Sequence, residues 1–362
     1  MKNSPLHQKH IELQAKMADF GGWLMPIEYP GAGVLAEHKA VRERVGLFDV
    51  SHLGKASVTG VGSLEFLNSM FTNDLTRITD GKAQYTLLCN DDGGVVDDLI
   101  AYRNSDEDFF LIPNASNTAD VVRVLRSQAP QEISVTNLHE EFAVLALQGP
   151  DAHAVIKSLG LNPTMDYMAF AHVSIGGCQV ILCRTGYTGE HGYEIVPDWD
   201  DASVVWDVLV QAMEAFGGEI CGLGSRDTLR TEMGYPLHGH ELTLSITPFQ
   251  ASAGWAIGWK KENFRGAGTL RSQREEGAVR TMRALKSNDR GIPRAGMLVK
   301  NSQGVEVGVI TSGTFSPSLK VGIALALIDP GFIEGDELFI DVRGRTSWAT
   351  IVSLPFSPSH VR

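Results

Sequence analysis

The chain has 362 residues, of which 43% are hydrophobic, 8% aromatic and 20% charged. This composition excludes disordered and fibrous proteins, and the length predicts two or three domains. The net charge of −12 argues against a general nucleic-acid binder, because such proteins gain affinity by neutralising phosphates. No apolar run approaches the ~18–20 residues that cross a bilayer, and residues 1–7 lack a signal or transit pattern, so we predict a cytoplasmic protein without membrane partners.

The first predicted elements form a β-α-β-β-α unit with one additional strand. A preceding helix carries Val34, His38, Val41 and Val45 on one face, and Gly46 is its expected stop signal. The unit itself has strand Lys55–Thr59, helix Leu64–Phe71 capped by Ser63, strands Tyr85–Cys89, Val95–Tyr102 and Phe109–Pro113, and helix Thr118–Ser127.

The same order of elements recurs downstream. The predicted elements are strand Ala143–Leu147, helix Ala152–Leu159 capped by Asp151, strands Gln179–Arg184 and Tyr193–Val196, and helix Ala202–Phe216. The stretches that begin at Leu111 and Glu194 both have a strand, a proline, a polar cap and a helix. We therefore predict two α+β units of ferredoxin-like type, related by an ancient duplication.

After about Gly291 short strands alternate with turn residues, and no helical pattern intervenes. This pattern predicts an all-β barrel or sandwich, with strands Gly296–Lys300, Glu306–Ile310, Val321–Leu327, Glu337–Val342 and Ala349–Leu354. The stretch Lys260–Arg294 holds ten Lys/Arg against four acids. It is interpreted either as a solvated linker face or as a docking surface for an acidic partner or an anionic substrate tail.

The segment Gly93–Tyr102 has the strongest chemical signal. Read as a strand it is mostly apolar on both faces, yet Asp97 lies on one face and Asp98 on the other. Burying an ionised carboxylate without partners is costly. One aspartate is therefore expected to accept hydrogen bonds from the preceding glycine turn while the other is a tuned acid or base; a structural role for both stays open.

Two glycine-rich segments also carry charged residues. In Gly186–Glu194 a loop runs into a strand, and Glu194 is placed to bind a guanidine-like ring edge such as that of a pterin. The alternative is a hairpin with charged residues facing solvent. In Gly222–Arg230, Arg226 lies near a helix start, but the third glycine of a dinucleotide fingerprint is missing.

Other motifs favour structural interpretations. His238–Glu241 has no second cluster of metal ligands, so loop histidines are expected and no metal is predicted. The run Asp49–His52 contains residue types of a nucleophilic triad but has no oxyanion-hole context. The four cysteines form no CxxC pair and are expected to be buried thiols, and Thr311–Ser318 is a turn-rich loop.

Taken together, these segments resemble the T-protein family of the glycine cleavage system, essentially end to end. The matching motifs are Phe20–Pro26, Gly46–Gly54, Gly93–Tyr102, Leu145–Pro150, Gly186–Ile195, Cys221–Arg230 and Ile310–Leu319. Leu53 and His240 are small departures from the family pattern. The resemblance implies a three-domain cloverleaf around a central folate-holding hole, with a jelly-roll-like barrel last. The domains expected are a folate-binding α+β domain (1–54 and 138–260), a second ferredoxin-like domain (55–137), a basic linker (261–290) and the barrel (291–362).

The resemblance also implies the reaction and its residues. An aminomethyltransferase would take the aminomethyl group from the lipoyl arm of the H-protein. It would give 5,10-methylenetetrahydrofolate from tetrahydrofolate, with release of ammonia and dihydrolipoyl-H-protein. Asp98 would be the catalytic carboxylate, Glu194 would bind the pterin edge, and Arg226 would be its charge partner or a second pterin contact. The pocket would be completed by Tyr187, Tyr85, Asn114 and Ile112.

Two alternatives remain at this point. A folate-dependent demethylase or methyltransferase shares the same scaffold, because changes at a few residues redirect transfer on one fold. A non-catalytic folate-binding or complex-assembly protein belongs to a different class, and the paired Asp97 and Asp98 argue against it.

Overall fold

A computed structural model describes residues 1–31, 33–342 and 344–362. The α-helices are α1 His7–Glu12, α2 Gly33–Glu43, α3 Ser63–Met70, α4 Thr118–Gln128, α5 Ala152–Ser158, α6 Ala202–Glu214, α7 Leu223–Met233 and α8 Ala267–Glu276. The strands of the first half are β1 Lys2–Asn3, β2 Lys16–Phe20, β3 Trp23–Glu28, β4 Gly46–Asp49, β5 Ala56–Thr59, β6 Lys82–Cys89, β7 Val95–Ser105, β8 Asp108–Ile112 and β9 Ser134–Asn137. Those of the second half are β10 Leu145–Gln148, β11 Phe170–Ile175, β12 Cys178–Cys183, β13 Gly192–Pro197, β14 Glu219–Cys221, β15 Thr281–Ser287, β16 Leu298–Lys300, β17 Glu306–Ser316, β18 Val321–Ile328, β19 Glu337–Val342 and β20 Arg345–Val352.

The first α+β unit contains a five-stranded sheet in the order β6-β7-β8-β5-β9. The strands β7, β8, β5 and β9 pair antiparallel in the ferredoxin-like order, and β6 adds one more strand at the edge. Helices α3 and α4 bury Leu67 and Leu125 against Val58, Leu99 and Leu111 of the sheet. The apolar side chains of this unit therefore form a core of their own.

The second unit repeats this arrangement with one insertion. Its sheet has the order β11-β12-β13-β10-β4-β14. In the first unit β5 and β9 pair directly, whereas in the second unit β4 lies between the corresponding strands β10 and β14. In both units a strand, a proline and a short 3₁₀ turn precede the second helix: Ala115–Asn117 before α4 and Trp199–Asp201 before α6. The structural correspondence agrees with the duplication predicted from the sequence.

The C-terminal domain is a closed six-stranded barrel in the order β15-β18-β17-β16-β19-β20. Together with the two α+β units it confirms the predicted fold class. The barrel begins earlier than the predicted residue 291, because β15 pairs with β18 and β20. The predicted linker 261–290 also contains α8, whose buried residues are only Ala267 and Leu270. The hydrophobic pattern of the segment was too weak to indicate either element, and the remaining domain division stays a proposal.

Several predicted boundaries are wrong for local reasons. Gly46 starts β4 rather than ending a helix, since α2 already ends at Glu43. Ser63 is the first residue of α3, and its hydroxyl donates back to the Gly60 carbonyl instead of capping the helix. An unpredicted three-stranded sheet, β1-β3-β2, lies at the N-terminus. In the described residues, no helix is both long and apolar enough to cross a membrane; the cytoplasmic location stays a prediction.

Candidate active site

A cavity of about 450 Å³ lies between the two α+β units. Its walls come from both sheets, from the start of α7 and from the loop after it, with Phe20 and Gly21 of the N-terminal sheet at one side. All seven residues singled out from the sequence line this one cavity: Tyr85, Asp98, Ile112, Asn114, Tyr187, Glu194 and Arg226. Among the described residues none of its lining comes from the barrel.

Asp98 faces the cavity because of the turn that starts β7. Asn90 closes this turn by accepting the Gly94 backbone N–H with its side chain at 2.8 Å. A Cβ atom at Gly94 would lie 1.8 Å from the Leu244 carbonyl oxygen, so only glycine allows the turn to pack there. The turn fixes where β7 begins, and the two-residue period of the strand then directs Asp98 to the cavity and Asp97 to the opposite face.

Asp98 is held between two neutral hydrogen-bond donors. The Tyr85 hydroxyl donates to Oδ2 at 3.0 Å, and Asn114 Nδ2 donates to Oδ1 at 2.8 Å. Burial raises the pKa of Asp98, and these hydrogen bonds, together with the charge of His238, lower it only in part. The arrangement fixes the direction of the carboxylate without neutralising it by an ion pair, which suits a proton acceptor.

Asp97 has a structural role. It is fully buried and accepts hydrogen bonds from the Asn114 backbone N–H at 2.9 Å and from Asn117 Nδ2 at 2.7 Å. These bonds fix the turn before α4, which in turn holds the Asn114 amide against Asp98. The two carboxylates thus have different roles in the structure. The structural one, Asp97, binds the turn before α4 and not the preceding glycine turn that we predicted.

Glu194 lies on β13 at the other side of the cavity and is almost fully buried. The Thr185 hydroxyl donates to its Oε2 at 2.5 Å. Gly186, the glycine before Tyr187, lines the cavity and packs closely against Gln148. A Cβ atom at Gly186 would lie 2.0 Å from the Gln148 amide oxygen, and the buried Gln148 holds this loop by donating to the Thr185 carbonyl at 3.1 Å.

Arg226 and Tyr187 pack against each other in the cavity wall. The guanidinium carbon of Arg226 lies 4.9 Å from the centre of the Tyr187 ring, a cation–π contact. The Arg226 Nη1 atom is buried and, among the described residues, has no hydrogen-bond partner. Among the described residues, Arg226 and Glu194 do not form an ion pair within 4.0 Å. The negative charge of Glu194 nevertheless favours the protonated form of Arg226. Arg226 therefore has donor capacity left for a ligand.

A buried carboxylate that the sequence did not reveal positions Arg226. Glu37 of α2 accepts the backbone N–H of Gly222 at 2.9 Å and that of Tyr29 at 2.8 Å. These bonds fix the start of α7, which carries Arg226 in its first turn. A lone glutamate in an amphipathic helix gives no signal of this role, because its partners are distant in sequence.

Trp255 is a second residue that sequence reasoning missed. Its ring stacks on Tyr85 with centroids 5.2 Å apart, and its side chain is 68% exposed. Trp255, Tyr85, Tyr167 and Met168 line the central cavity and also a neighbouring cavity of about 800 Å³. The four side chains form a partition between the two spaces. Trp255 lies outside any periodic segment, so the pattern gave no reason to select it.

The remaining candidate motifs have structural partners. His238 Nε2 lies 3.1 Å from the Val95 carbonyl oxygen, and His240 Nδ1 lies 2.7 Å from that of Thr311. Glu241 pairs with Arg230 at 3.2 Å. No group of three or more His, Cys, Asp or Glu side chains placed to hold a metal ion occurs within the described ranges.

The cations of the basic stretch Lys260–Arg294 fall into two sets, those bound to other groups of the chain and those exposed to solvent. Five are bound within the chain by carbonyl groups or acids: Lys261, Arg265, Arg271, Arg280 and Arg283. Five others are exposed: Lys260, Arg274, Lys286, Arg290 and Arg294. The second set is the more accessible to a partner, although Arg294 also donates to the Gly313 carbonyl at 2.9 Å.

Comparison with known proteins decides the family. The GCVT N-terminal domain matches residues 6–261, and the glycine cleavage T-protein C-terminal barrel domain matches residues 280–357. The chain belongs to the glycine cleavage T-protein family. It is 57% identical to an aminomethyltransferase of Parafrankia sp., over 98% of each chain. It is 56% identical to one of Frankia alni, over 100% of this chain and 99% of the relative.

A solved structure agrees with this assignment. The crystal structure of glycine cleavage system aminomethyltransferase T from Bartonella henselae superposes with a TM-score of 0.93 at 34% identity, over 99% of each chain. An aminomethyltransferase of Mycobacterium tuberculosis is 55% identical over 98% of this chain and 96% of its own. The resemblance and the enzyme class predicted from the sequence are confirmed, so this T-protein is an aminomethyltransferase. The demethylase and the non-catalytic binder are not favoured.

Proposed function

We propose that the central cavity binds tetrahydrofolate beside Asp98 and that the aminomethyl carbon on the lipoyl arm of H-protein is transferred there. The observation that carries the proposal is Asp98 itself. It is a carboxylate on a cavity wall, aimed by Tyr85 and Asn114 and without an ion pair within 4.0 Å among the described residues. Products would be 5,10-methylenetetrahydrofolate, ammonia and the dihydrolipoyl-H-protein.

Asp98 acts as the proton acceptor in this proposal. One folate amine nitrogen forms a bond to the aminomethyl carbon and a second folate nitrogen forms another, while the bonds of that carbon to the amino group and to the lipoyl sulfur break. The two folate N–H protons, one of them accepted by Asp98, end on the released ammonia and on the lipoyl thiol. The negative charge also favours the cationic, iminium-like carbon in the transition state. Holding amine and carbon together is worth ~7–11 kcal/mol as effective molarity, so the cavity walls contribute alongside the carboxylate.

The opposite wall is suited to the pterin ring. The carboxylate of Glu194 can accept two parallel N–H bonds from the amino-pyrimidinone edge. The free Nη1 atom of Arg226 donates to a ring acceptor nearby, and Tyr187 holds the guanidinium in place. Ile112 supplies an apolar surface to the ring.

We assign H-protein docking to the exposed cations of the basic stretch. Lys260 is exposed and lies five residues after Trp255, which lines the cavity. Arg274 is exposed, and its guanidinium carbon lies 4.5 Å from the centre of the Trp259 ring. Arg271 is unsuited to a test because its guanidinium holds the Lys261 carbonyl at 2.7 Å. The double reversal Lys260→Glu and Arg274→Glu should raise KM for H-protein about 3- to 10-fold at low salt and less at high salt.

The control for docking is Lys157→Glu on α5, an exposed cation of the second unit. It reverses one charge where the double variant reverses two, and it should leave KM for H-protein unchanged at every salt concentration. A double reversal without a salt-dependent KM would remove this surface from the proposal.

The reaction itself is tested by turnover. Lipoylated H-protein charged with the aminomethyl group is mixed with the enzyme, and ammonia and methylenetetrahydrofolate are measured with and without tetrahydrofolate. Stoichiometric, folate-dependent formation of both products is expected. Methyl transfer from a small N-methyl or sulfonium compound, without turnover of H-protein, would instead indicate a demethylase.

A further inference from the structure

His52 belongs to a sequence motif that the proposed reaction leaves unexplained. Its motif contains Asp49, but Asp49 binds His10 Nε2 at 2.8 Å and the Ser51 backbone N–H at 2.9 Å. The nucleophilic triad considered for this motif is therefore not formed. His52 instead lines the central cavity, with its side chain 3% exposed.

The imidazole of His52 has unused hydrogen-bonding capacity. Its Nδ1 atom is buried and has no partner in the part of the chain that the structure describes. No side-chain hydrogen bond of either ring nitrogen is formed with those residues either; only the His52 carbonyl is bound, by His139. Buried polar atoms are nearly always paired in folded proteins, so an unpaired one on a cavity wall indicates a ligand atom.

The ring is neutral and fixed in orientation. Burial lowers the pKa of His52 to about 3, and the charges of Arg226 and Lys55 act in the same direction. A neutral imidazole offers one N–H donor and one acceptor. The edge-to-face contact with Phe20, at 5.2 Å between centroids and 82° between planes, holds the ring against the wall.

The neighbours of His52 assign it to one end of the cavity. Strand β4, which leads to His52, pairs in parallel with β14, which leads to Arg226, with Phe48 opposite Cys221. Phe48 and Glu194 both lie opposite Ala146 of β10, so the three side chains come from one region of the sheet. Arg226 Nη1 is the second buried atom on this cavity without a partner among the described residues. Two unpaired polar atoms at the Glu194 end match a heterocycle with several polar ring atoms better than an apolar or extended group.

We propose that His52 is a further ligand-binding residue, which forms a hydrogen bond to a heteroatom of the pteridine ring at the Glu194–Arg226 end of the cavity. The inference rests on the proposed folate acceptor. It predicts that His52 contributes to binding of the ring and not of the aminobenzoyl-glutamate tail.

Equilibrium titrations with two probes test this. The probes are 5-formyltetrahydrofolate and 6-methyltetrahydropterin, which has the ring but no tail. The variant His52→Phe keeps an aromatic ring but cannot hydrogen-bond, and it should weaken both probes by the same factor, about 5- to 50-fold. Either His52→Asn or His52→Gln, which place an amide near Nδ1 or Nε2, should restore affinity to within about 3-fold.

The matched control is His7→Phe, a half-buried histidine whose Nδ1 also has no partner among the described residues but which lies outside the cavity lining. It should leave both affinities within about 2-fold. If His52→Phe does not fold, His52→Ala with added imidazole replaces it, and imidazole should then restore affinity.

Three results would overturn the inference. They are a loss for 5-formyltetrahydrofolate alone, a loss no larger than that of His7→Phe, or failure of both amide variants and of imidazole to restore binding. A wild-type protein that binds neither probe would contradict the folate acceptor itself, and this inference with it.

Discussion

Two carboxylates of this protein occupy buried positions with opposite electrostatics. Glu232 of α7 lies at the junction of α2, α7 and the barrel, 2.9 Å from Arg42 Nη2 and 3.4 Å from His38 Nε2. Ser316 and Ser318 of the barrel donate to it at 2.5 and 2.9 Å. These partners outweigh its burial, so that the pKa of Glu232 falls to about 2. The pKa of Asp98 is instead raised by burial, because its donors are neutral.

The difference in electrostatics distinguishes a structural carboxylate, Glu232, from a reactive one, Asp98. Arg42 and His38 stabilise the charge of Glu232, and the network fastens the barrel to the second unit without entering the cavity. Asp98 has lost water without gaining an ion pair within 4.0 Å among the described residues, and the charge of His238 offsets its burial only in part. Its charged form therefore stays reactive toward protons and cations. A buried acid is therefore a catalytic candidate when its hydrogen bonds orient it but do not neutralise it.

Removal of the Asp98 charge should have the largest effect on activity. Asp98→Asn should lower kcat by about 10²–10⁴, since the amide cannot accept the proton. Folate affinity should change far less. The variant should be as stable as the wild type or more so at pH 7, because an ionised group whose pKa is raised on folding costs folding free energy.

Steady-state ammonia release and denaturant unfolding measure these two outcomes. The control is Asp92→Asn, an exposed carboxylate in the turn before β7, which should retain full turnover. An Asp98→Asn enzyme with unreduced turnover would exclude this residue from the mechanism.

Loss of the Glu232 charge should affect stability instead. Glu232→Gln leaves Arg42 and His38 with less compensation, and the free energy of unfolding should fall by about 3 kcal/mol. Urea unfolding followed by circular dichroism measures the loss. Glu43→Gln is the control, since Glu43 forms an exposed pair with Lys39 at 3.7 Å on α2 and is worth under ~0.5 kcal/mol. Equal losses in the two variants would contradict the structural role of the network.

The next effect in size concerns ligand affinity. Glu194→Ala should weaken reduced-folate binding by about 1–3 kcal/mol, because the pterin N–H groups lose their acceptor. Calorimetric titration measures the change. Thr185→Val, which removes only the hydroxyl bound to Glu194, should cost less than Glu194→Ala. Unchanged folate affinity in the alanine variant would show that Glu194 does not bind the ring.

Asp98 and Glu232 also differ in how far their roles can be predicted from the sequence. Asp98 was recognisable because a carboxylate in a two-faced apolar strand violates the local pattern. Glu232 was not, since a glutamate inside an ordinary helix is common, and its partners lie on α2 and in the barrel, about 190 and 84 residues away. The ferredoxin-like units followed from local periodicity.

Elements without such periodicity escaped prediction. The order of the second sheet did not follow from periodicity, because β4 enters it from a distant part of the chain. Helix α8 and strand β15 were missed because charged residues interrupt their apolar positions. Asn114, Ile112 and Tyr85 were assigned through the family resemblance, since nothing local distinguishes them.

The last and smallest expected effect is a different response of Asp98 and Glu232 to pH. Each pH unit changes the free energy linked to one titrating group by about 1.4 kcal/mol. Catalysis needs ionised Asp98, so kcat/KM should fall tenfold per unit as pH drops below a midpoint above the ordinary aspartate value. The stability from Glu232 is present above its unfolded pKa of 4.5 and is lost as pH falls toward about 2.

On acidification, activity should disappear reversibly while the circular dichroism signal is still native. The stability difference between wild type and Glu232→Gln should shrink only below about pH 4.5. Simultaneous loss of activity and native signal would mean that the acid limb reports unfolding and not protonation of Asp98.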